Sequence, residues 1–169
     1  SNSLHATFEI FPKKGNISFI SRSGAICSAF ASNLSTRGAG VSKYISLGNK
    51  LNVNEVELID YLGSDSDTKC ISLYLEDIAD GRSLLQIAPK ISLKKPIVAL
   101  KSGYTLEGAK ATFSHTGAMS GKDQIIDSAF HQMGIIRVNN LRELYDVSAA
   151  MCTLGPLKGN KIAIISDAG

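Results

Sequence analysis

The sequence predicts an α/β protein built on an open parallel sheet of about five strands, with helices on both faces. The first observation is an alternation, in which five apolar, β-branched runs are each followed by a turn signal and then by a helical pattern. The second is that these runs are apolar throughout, which is typical of strands covered on both faces. Since short crossovers between parallel strands give three layers, we expect a flavodoxin-like or Rossmann-like arrangement.

Each element is predicted from residue type and spacing. The strands are rich in β-branched residues and are predicted at Ile17 to Ile20, Val41 to Leu47, Cys70 to Leu75, Ile97 to Leu100 and Ile135 to Val138. The helices have apolar positions three and four residues apart and are predicted at about Gly24 to Thr36, Val53 to Leu62, Gly81 to Ile91, Asp123 to Met133 and Leu141 to Met151.

The two ends of the chain differ from this pattern. Residues 1–14 are predicted to be a leading linker, and residues 15–154 to be the flavodoxin-like domain. The Gly155-Pro156 pair indicates a second linker, and the apolar run from Lys161 to Ile165 has no helix after it. We therefore expect residues 155–169 to be a linker and the first strand of a following domain, and the chain to be a fragment of a larger protein.

Composition excludes several classes of function. The chain has 169 residues, of which 44% are hydrophobic and 20% charged, as in one globular domain. Its net charge of +3 is scattered, which argues against nucleic-acid binding, and no apolar run is long enough for a membrane span. The cysteines Cys27, Cys70 and Cys152 form no CxxC pattern, which argues against zinc and indicates a reducing, cytoplasmic location.

Polar residues follow the predicted strands at their carboxyl ends, where open α/β sheets bind ligands. After the first strand, Ser21, Ser23 and Gly24 open a helix, whose free N–H groups favour an anion such as phosphate. A serine at this position can equally be a simple helix cap. After the second strand, Asn49 and Lys50 are possible contacts for phosphate or substrate, although Gly-Asn also makes ordinary turns.

The third and fourth strands add a carboxylate and a cation. Glu76 follows the third strand and could hold a histidine ring nitrogen; the alternative is an acid that complements the dipole of the next helix. Its neighbour Asp77 is assigned that helix-leading role. Lys101 ends the fourth strand, either as a charge at a phosphate site or as a solvated lysine.

One histidine lies in a loop of small residues, Ser114 to Gly121, after a long connection. Such a histidine is open to a substrate, and we predict that His115 is a covalent phosphoryl carrier; the alternative is a loop histidine without a role. His5 and His131 are poor candidates, because one lies in the leading linker and the other in a helical pattern. Protease, P-loop and dinucleotide motifs are absent from the sequence, which leaves phosphate chemistry.

Five motifs in order carry a family likeness. They are Ile20-Ser21-Arg22-Ser23-Gly24-Ala25, Leu47-Gly48-Asn49-Lys50, Tyr74-Leu75-Glu76, Leu100-Lys101-Ser102-Gly103 and Ser114-His115-Thr116-Gly117-Ala118. Together they resemble the nucleoside-diphosphate-forming acyl-CoA synthetases, in particular the second domain of the α part of ADP-forming acetyl-CoA synthetase, a relative of succinyl-CoA synthetase. Succinyl-CoA synthetases typically have Gly-His-Ala-Gly at the histidine, so Ser114 and Thr116 resemble the acetyl-CoA or general acyl-CoA branch.

The resemblance implies roles for these residues. His115 matches the phosphohistidine, Glu76 matches the carboxylate that stabilises it, and the Ser23-Gly24 helix start matches the phosphate cradle. Ser21, Ser114, Thr116 and Gly117 are expected to belong to the same phosphate site.

The resemblance also implies a reversible reaction. Acyl-CoA, ADP and phosphate are interconverted with acid, CoA and ATP through acyl phosphate and the phosphorylated histidine. The full enzyme would use CoA, ATP or ADP, phosphate and Mg, with CoA on a Rossmann domain and nucleotide on an ATP-grasp domain or subunit. We expect no cofactor to be bound within this segment itself.

Two other functions remain open. A similar domain, fused to or paired with an acyltransferase, could sense a ligand without catalysing phosphoryl transfer, although His115 argues against this role. The fold class alone also allows an FMN-binding electron carrier, but the loops lack an obvious aromatic pair to enclose a flavin.

Overall fold

A computed structural model describes residues 13–50, 52–103, 123–154, 159, 161 and 163–166. Five parallel strands form one sheet in the order β2-β1-β3-β4-β5. The strands are β1 (Lys14–Ser21), β2 (Val41–Ser46), β3 (Cys70–Leu75), β4 (Ile97–Lys101) and β5 (Ile135–Val138). This order is that of the flavodoxin-like fold, so the predicted fold class is confirmed.

Helices connect the strands and cover both faces of the sheet. They are α1 (Gly24–Thr36), α2 (Glu55–Ser64), α3 (Gly81–Ser92), α4 (Asp123–Met133) and α5 (Leu141–Leu154). One core lies between the sheet and α2, α3 and α4, and the other lies between the sheet and α1 and α5. In the second core, the rings of Phe19 and Phe30 stack with centroids 3.8 Å apart. Both faces of the central strands β3 and β4 are therefore buried, which explains their apolar runs, whereas the edge strand β2 is only partly buried.

The strand order reverses direction between β1 and β3. Ser21, the last residue of β1, is in register with Ser46 of β2 on one side and with Tyr74 of β3 on the other. Crossovers from these two strands leave in opposite directions across the sheet, which opens a crevice at the carboxyl ends. The loops that follow β1, β2 and β3 meet at this crevice.

The far end of the β1–β2 pair is irregular. The register shifts twice between Lys14 and Ser18. Gly15 and Gly40 lie side by side there, and a Cβ on Gly15 would be 2.4 Å from the Gly40 carbonyl oxygen. Glycine is required at this close backbone contact because any side chain would overlap with the neighbouring strand.

Local caps correct several predicted boundaries. Helix α2 begins at Glu55 instead of Val53, because Asn54 and Glu57 form a capping box. Asp80, and not Asp77, is the acid that caps α3, since its carboxylate accepts the Ser83 N–H at 3.0 Å. Asp77 is used elsewhere, as described below.

The segments flanking the domain also differ in part from expectation. Strand β1 begins at Lys14, one residue inside the predicted leading linker. Residues 161 and 163–165, the described part of the strand predicted from Lys161 to Ile165, are in no strand, and Ile164 and Ile165 are 88% and 98% exposed. Their assignment to a following domain stays a prediction. None of the helices in the described part of the chain combines the length and hydropathy needed to cross a bilayer.

Candidate functional site

The carboxyl edge of the sheet brings four predicted site segments together. The loops after β1, β2 and β3 contact one another through Arg22, Lys50 and Asp77. Lys101 ends β4 in register with Leu75, the residue before Glu76. His115, Ser114, Thr116 and Gly117 lie outside the described residues, so their predicted roles stay predictions.

The start of α1 is held by two serines. The buried Ser21 hydroxyl accepts the Ser23 N–H at 3.0 Å and donates to the Ser23 carbonyl at 3.1 Å. Ser23 is the N-cap, and its Oγ accepts the Ile26 N–H at 3.4 Å. Gly24 is exposed, and apart from its own helix and chain neighbours no atom of a described residue lies within 4 Å of the position that its Cβ would occupy. Both serines thus shape the helix start, and Gly24 leaves it accessible to a ligand.

Arg22 lies between these serines and contacts both neighbouring loops. Its Nε donates to the Gly48 carbonyl at 3.1 Å, and one terminal nitrogen donates to Asp77 Oδ1, also at 3.1 Å. The same nitrogen lies 3.9 Å from Glu76 Oε2, and the arginine side chain is only 10% exposed. A second terminal nitrogen reaches Asn49 Oδ1 at 3.5 Å, a long contact.

Lys50 turns inward from the loop after β2. Its backbone is left-handed, with φ at +56°, two residues after Gly48 at +54°. This conformation costs a non-glycine residue about 1–2 kcal/mol. It directs Nζ to Asp77 Oδ1 at 2.7 Å, to the Asp77 carbonyl at 3.1 Å and to Glu55 Oε2 at 2.9 Å. The lysine therefore braces two loops, whereas Asn49 remains exposed at the surface.

Glu55 is a fully buried acid at the first residue of α2. Its Oε1 accepts the Ala79 N–H at 2.6 Å, which ties the helix to the loop after β3. Its Oε2 forms the ion pair with Lys50, although the angle of that contact is not one of a hydrogen bond. Sequence reasoning missed Glu55 because a glutamate after an N-cap asparagine is ordinarily a solvated acid near the helix dipole.

The loop after β3 carries the carboxylates Glu76 and Asp77. Burial tends to raise the pKa of Asp77, but the Lys50 hydrogen bond and charge, together with Arg22, outweigh it and bring the pKa below its ordinary value. Glu76 is 7% exposed, and its Oε2 accepts no hydrogen bond from any described residue. A buried carboxylate oxygen without a donor is unusual, because it loses its water without compensation.

Lys101 is a buried cation beside these carboxylates. It is 4% exposed, and its Nζ donates to the Ser102 carbonyl at 2.6 Å. Burial lowers the pKa of Lys101, and the charge of Asp77 opposes that effect. The lysine is thus not the solvated strand-end residue that the alternative interpretation expected.

The family of this chain is established by sequence comparison. A model of the succinyl-CoA ligase like flavodoxin domain matches residues 14–151. The chain belongs to this family. Its similarity to named ADP-forming acyl-CoA synthetases confirms the resemblance that the five motifs indicate.

Two curated members of the family are close in sequence. The chain is 44% identical over 167 residues to an acetate–CoA ligase (ADP-forming) of Methanocaldococcus jannaschii. It is 43% identical over 170 residues to a 4-hydroxybutyrate–CoA ligase (ADP-forming) of Nitrosopumilus maritimus. Each alignment covers 98% of this chain and 24% of the relative, so the chain spans about a quarter of the length of these proteins.

A solved structure of the family has the same fold. It is the dinucleotide-forming acetyl-coenzyme A synthetase 1 of Ca. Korarchaeum cryptofilum, in complex with phosphate and ADP. The two chains superpose with a TM-score of 0.82 at 38% identity, over 88% of this chain and 33% of the other. The relatives therefore contain further segments besides the one that matches this flavodoxin domain.

Proposed function

We propose that this chain is the phosphohistidine-carrying domain of an ADP-forming acyl-CoA synthetase, and that His115 carries the phosphoryl group. The observation that carries the proposal is the buried Glu76 Oε2, which lacks a donor among the described residues and lies at the crevice where the sheet reverses direction. An imidazole N–H is a donor of the right kind for this oxygen. Family membership and the names of the relatives support the same reaction.

A histidine paired with a carboxylate suits phosphoryl transfer. At neutral pH an unperturbed imidazole is largely neutral, since its pKa is about 6.5. A hydrogen bond from one ring nitrogen to Glu76 would fix the tautomer and leave the other nitrogen free to attack phosphorus. Glu76 orients the ring in this proposal and does not take up the phosphoryl group.

The reaction has three balanced steps. Phosphate attacks the acyl-CoA carbonyl, so that a C–O bond forms, the C–S bond breaks and CoA leaves as the thiol. The free ring nitrogen of His115 then attacks phosphorus, forming a P–N bond while the acid leaves as carboxylate. Finally a terminal oxygen of ADP attacks the same phosphorus, the P–N bond breaks and the neutral imidazole is regenerated with ATP.

The phosphate groups need donors and positive charge at this crevice. Ser21, Ser23 and Gly24 offer the helix start of α1, where backbone N–H groups and the dipole favour an anion. Ser114, Thr116 and Gly117 are proposed to line the other side by their place next to His115 in the sequence. A charge-assisted hydrogen bond contributes about 1.5–3 kcal/mol, so a few such donors hold a phosphoryl group that must still be released.

Three further residues are proposed as substrate or phosphate contacts. Lys101 supplies a buried charge near Glu76 and Asp77. Asn49 is exposed and available. Lys50 would act mainly by bracing the loops, because its ammonium group contacts the three oxygens of Glu55 and Asp77 already described.

The whole protein is proposed to contain the remaining sites. CoA would bind to a separate CoA-binding domain, and ATP or ADP with Mg to an ATP-grasp domain or subunit, with residues 155–169 leading to the next domain. The acyl group stays open, since relatives of similar identity are named for acetate and for 4-hydroxybutyrate. The scattered cysteines support a cytoplasmic location.

Labelling of the full-length protein with γ-phosphate-labelled ATP tests the proposal. We expect an acid-labile, alkali-stable label that His115→Ala abolishes. The matched control is His131→Ala, which removes an exposed histidine of α4 and should leave the label intact. Absence of label in the parent protein, with ADP and CoA binding retained, would favour the ligand-sensing role beside an acyltransferase instead. A colourless purified protein would rule out the flavin carrier.

A further inference from the structure

Arg22 lies next to Glu76 in the fold although 54 positions separate them, because β1 and β3 are neighbouring strands in register. Its guanidinium nitrogen is 3.9 Å from Glu76 Oε2, and both side chains are about nine-tenths buried. Of the cations that the structure describes, Arg22 alone forms an ion pair with Glu76. Arg22 is therefore the nearest described positive charge that offsets the burial of this carboxylate.

The distance of 3.9 Å is too long for a hydrogen bond, so the Glu76 oxygen has no donor among the residues that the structure describes. The guanidinium is held back by closer partners: Asp77 Oδ1 on one nitrogen and the Gly48 carbonyl on Nε, both at 3.1 Å. A direct arginine–carboxylate pair would instead be shorter and often bidentate, which would occupy the oxygen. Asp77 thus keeps Arg22 near Glu76 without letting it close on the carboxylate.

Lys50 holds Asp77 in this position. It donates to the Asp77 side chain at 2.7 Å and is itself paired with the buried Glu55. Glu55 in turn accepts the Ala79 N–H from the loop that carries Glu76. The guanidinium is therefore fixed from the loops after β2 and β3, and its orientation does not depend on Glu76.

We propose that Arg22 is a positioning residue for Glu76, and that it orients this carboxylate toward the crevice while leaving one oxygen free for an incoming N–H donor. The inference rests on the proposed function, in which that donor is the His115 ring. Arg22 itself does not contact the phosphoryl group in this assignment. It acts through Glu76, which places the imidazole for attack.

A double-mutant cycle on the full-length protein tests the assignment. The variants are Arg22→Gln, Glu76→Gln and their combination, and the readout is the single-turnover rate of histidine labelling from labelled ATP. A misplacement of about 1 Å can cost a factor of about 100 in rate, so we expect Arg22→Gln to slow labelling roughly 10- to 100-fold. The KM for ATP should not change. In the Glu76→Gln background, Arg22→Gln should have little further effect, because the arginine acts through that carboxylate.

Two further variants separate positioning from folding. Arg22→Lys keeps the positive charge but lacks the planar guanidinium that donates to Gly48 and Asp77 at the same time. It should therefore recover only part of the labelling rate. Arg37→Gln is the matched control, since Arg37 is also paired with a carboxylate, Asp146, on the surface formed by α1 and α5. Circular dichroism and the thermal midpoint of each variant check that the fold is retained.

The outcomes are distinct. A labelled parent with an Arg22→Gln variant that is labelled at the parental rate overturns the positioning role alone. Additive effects of Arg22→Gln and Glu76→Gln, or full recovery by Arg22→Lys, overturn it as well. A parent that takes no label overturns the proposed function and, with it, this inference.

Discussion

Lys101 illustrates, at the scale of a single residue, how function and stability oppose each other. Its ammonium group is buried at the end of β4, and its hydrogen bond to a described residue goes to the neutral carbonyl of Ser102. No ion pair among the described residues includes Lys101, and although the charges of Asp77 and Glu76 act on its ammonium group, burial outweighs them and lowers its pKa. A phosphate group in the crevice would supply the missing negative charge.

Replacing Lys101 with methionine should therefore stabilise the domain and impair phosphoryl transfer. We expect the free energy of unfolding to rise by roughly 1–3 kcal/mol, because a methionine keeps the packing without the buried charge. The folded pKa lies below 10.5, so the unfolded chain binds more protons at alkaline pH and the stability of the parent rises as the pH approaches that value. Lys101→Met should lack this rise.

Urea unfolding of the parent and variant between neutral and alkaline pH measures both effects. Lys94→Met is the control, since Lys94 is exposed and its replacement should change neither stability nor its pH dependence. A Lys101→Met variant that is less stable than the parent would contradict the conclusion that the nearby carboxylates compensate only partly for the burial of this charge.

Part of the candidate site could be predicted from single residues. Ser23 and Glu76 are predictable because each follows a strand at the carboxyl edge, where such sheets bind ligands. The role of Lys50 could not be predicted, since its inward direction depends on a left-handed backbone and on a buried partner, Glu55, that looked like a solvated acid. Arg22 belongs to the first of the five motifs, but the sequence indicates no role for it, because its contacts come from two loops distant in sequence.

At the scale of elements, the C-terminus of α2 is joined to β2 by Asp65. Its Oδ2 accepts hydrogen bonds from Lys43 at 2.8 Å and from Thr68 at 2.5 Å. The Lys43 and Thr68 hydrogen bonds lower the pKa of Asp65 below its ordinary value. Asp65 and Thr68 lie before the start of β3, at the end of the sheet opposite the candidate site. We therefore expect this junction to contribute to stability and not to the reaction.

Asp65→Asn should destabilise the domain at neutral pH and flatten its response to acid. We expect a loss of about 1–3 kcal/mol, because two donors lose a charged acceptor. With a folded pKa below 3.8, the parent has this contribution above that pH and loses it as the pH falls through the folded pKa. Asparagine does not titrate in this pH range, so the free energy of unfolding of the variant should fall less steeply in acid.

Denaturant unfolding at neutral and acidic pH checks the prediction. Asp67→Asn is the matched control, because Asp67 is 73% exposed and only 3.7 Å from the same lysine. An equal effect of the two substitutions would contradict the role assigned to Asp65. Histidine labelling should be unchanged in both variants.

The order of strands and helices could be predicted well because each element has its own periodicity. The five predicted strands all form, and the helices begin within two residues of their predicted positions. The shift at α2 arises because Asn54 caps the helix, a preference that competes with the apolar pattern beginning at Val53. The contact of Lys95 could not be predicted from local sequence, because its Nζ donates to the Leu62 and Asp65 carbonyls at the end of α2, about 30 positions away.

At the scale of the whole molecule, two cores on opposite faces of one sheet support independent folding. The sequence could not decide between flavodoxin-like and Rossmann-like order, since both have the same alternation of strands and helices. The strand order depends on the side of the preceding strand on which each crossover places the next strand. Packing between segments distant in sequence decides that side. In the structure β1 is flanked by β2 and β3.

The 169-residue chain alone should fold but show negligible ligase activity. The described residues already bury an apolar core on each face of the sheet, whereas the proposed sites for CoA and nucleotide would lie in other parts of the protein. Circular dichroism with a cooperative thermal transition should demonstrate folding, and an assay of ADP-dependent ATP formation from acetyl-CoA and phosphate should give no turnover. Robust turnover by the chain alone would contradict the proposal that CoA and nucleotide bind to other parts of the protein. The full-length protein serves as the positive control.

The outer rim of the sheet at β2 bears on how the domain behaves at high concentration. No described strand pairs with the outer side of β2, so this edge strand is where a strand of another molecule could add to the sheet. The rim is only six residues long, carries Lys43 in its middle and starts at the irregular contact of Gly15 with Gly40. A short, charged edge strand with an irregular start is a poor template for amyloid-like stacking, so we expect no strand addition at β2 in concentrated solutions.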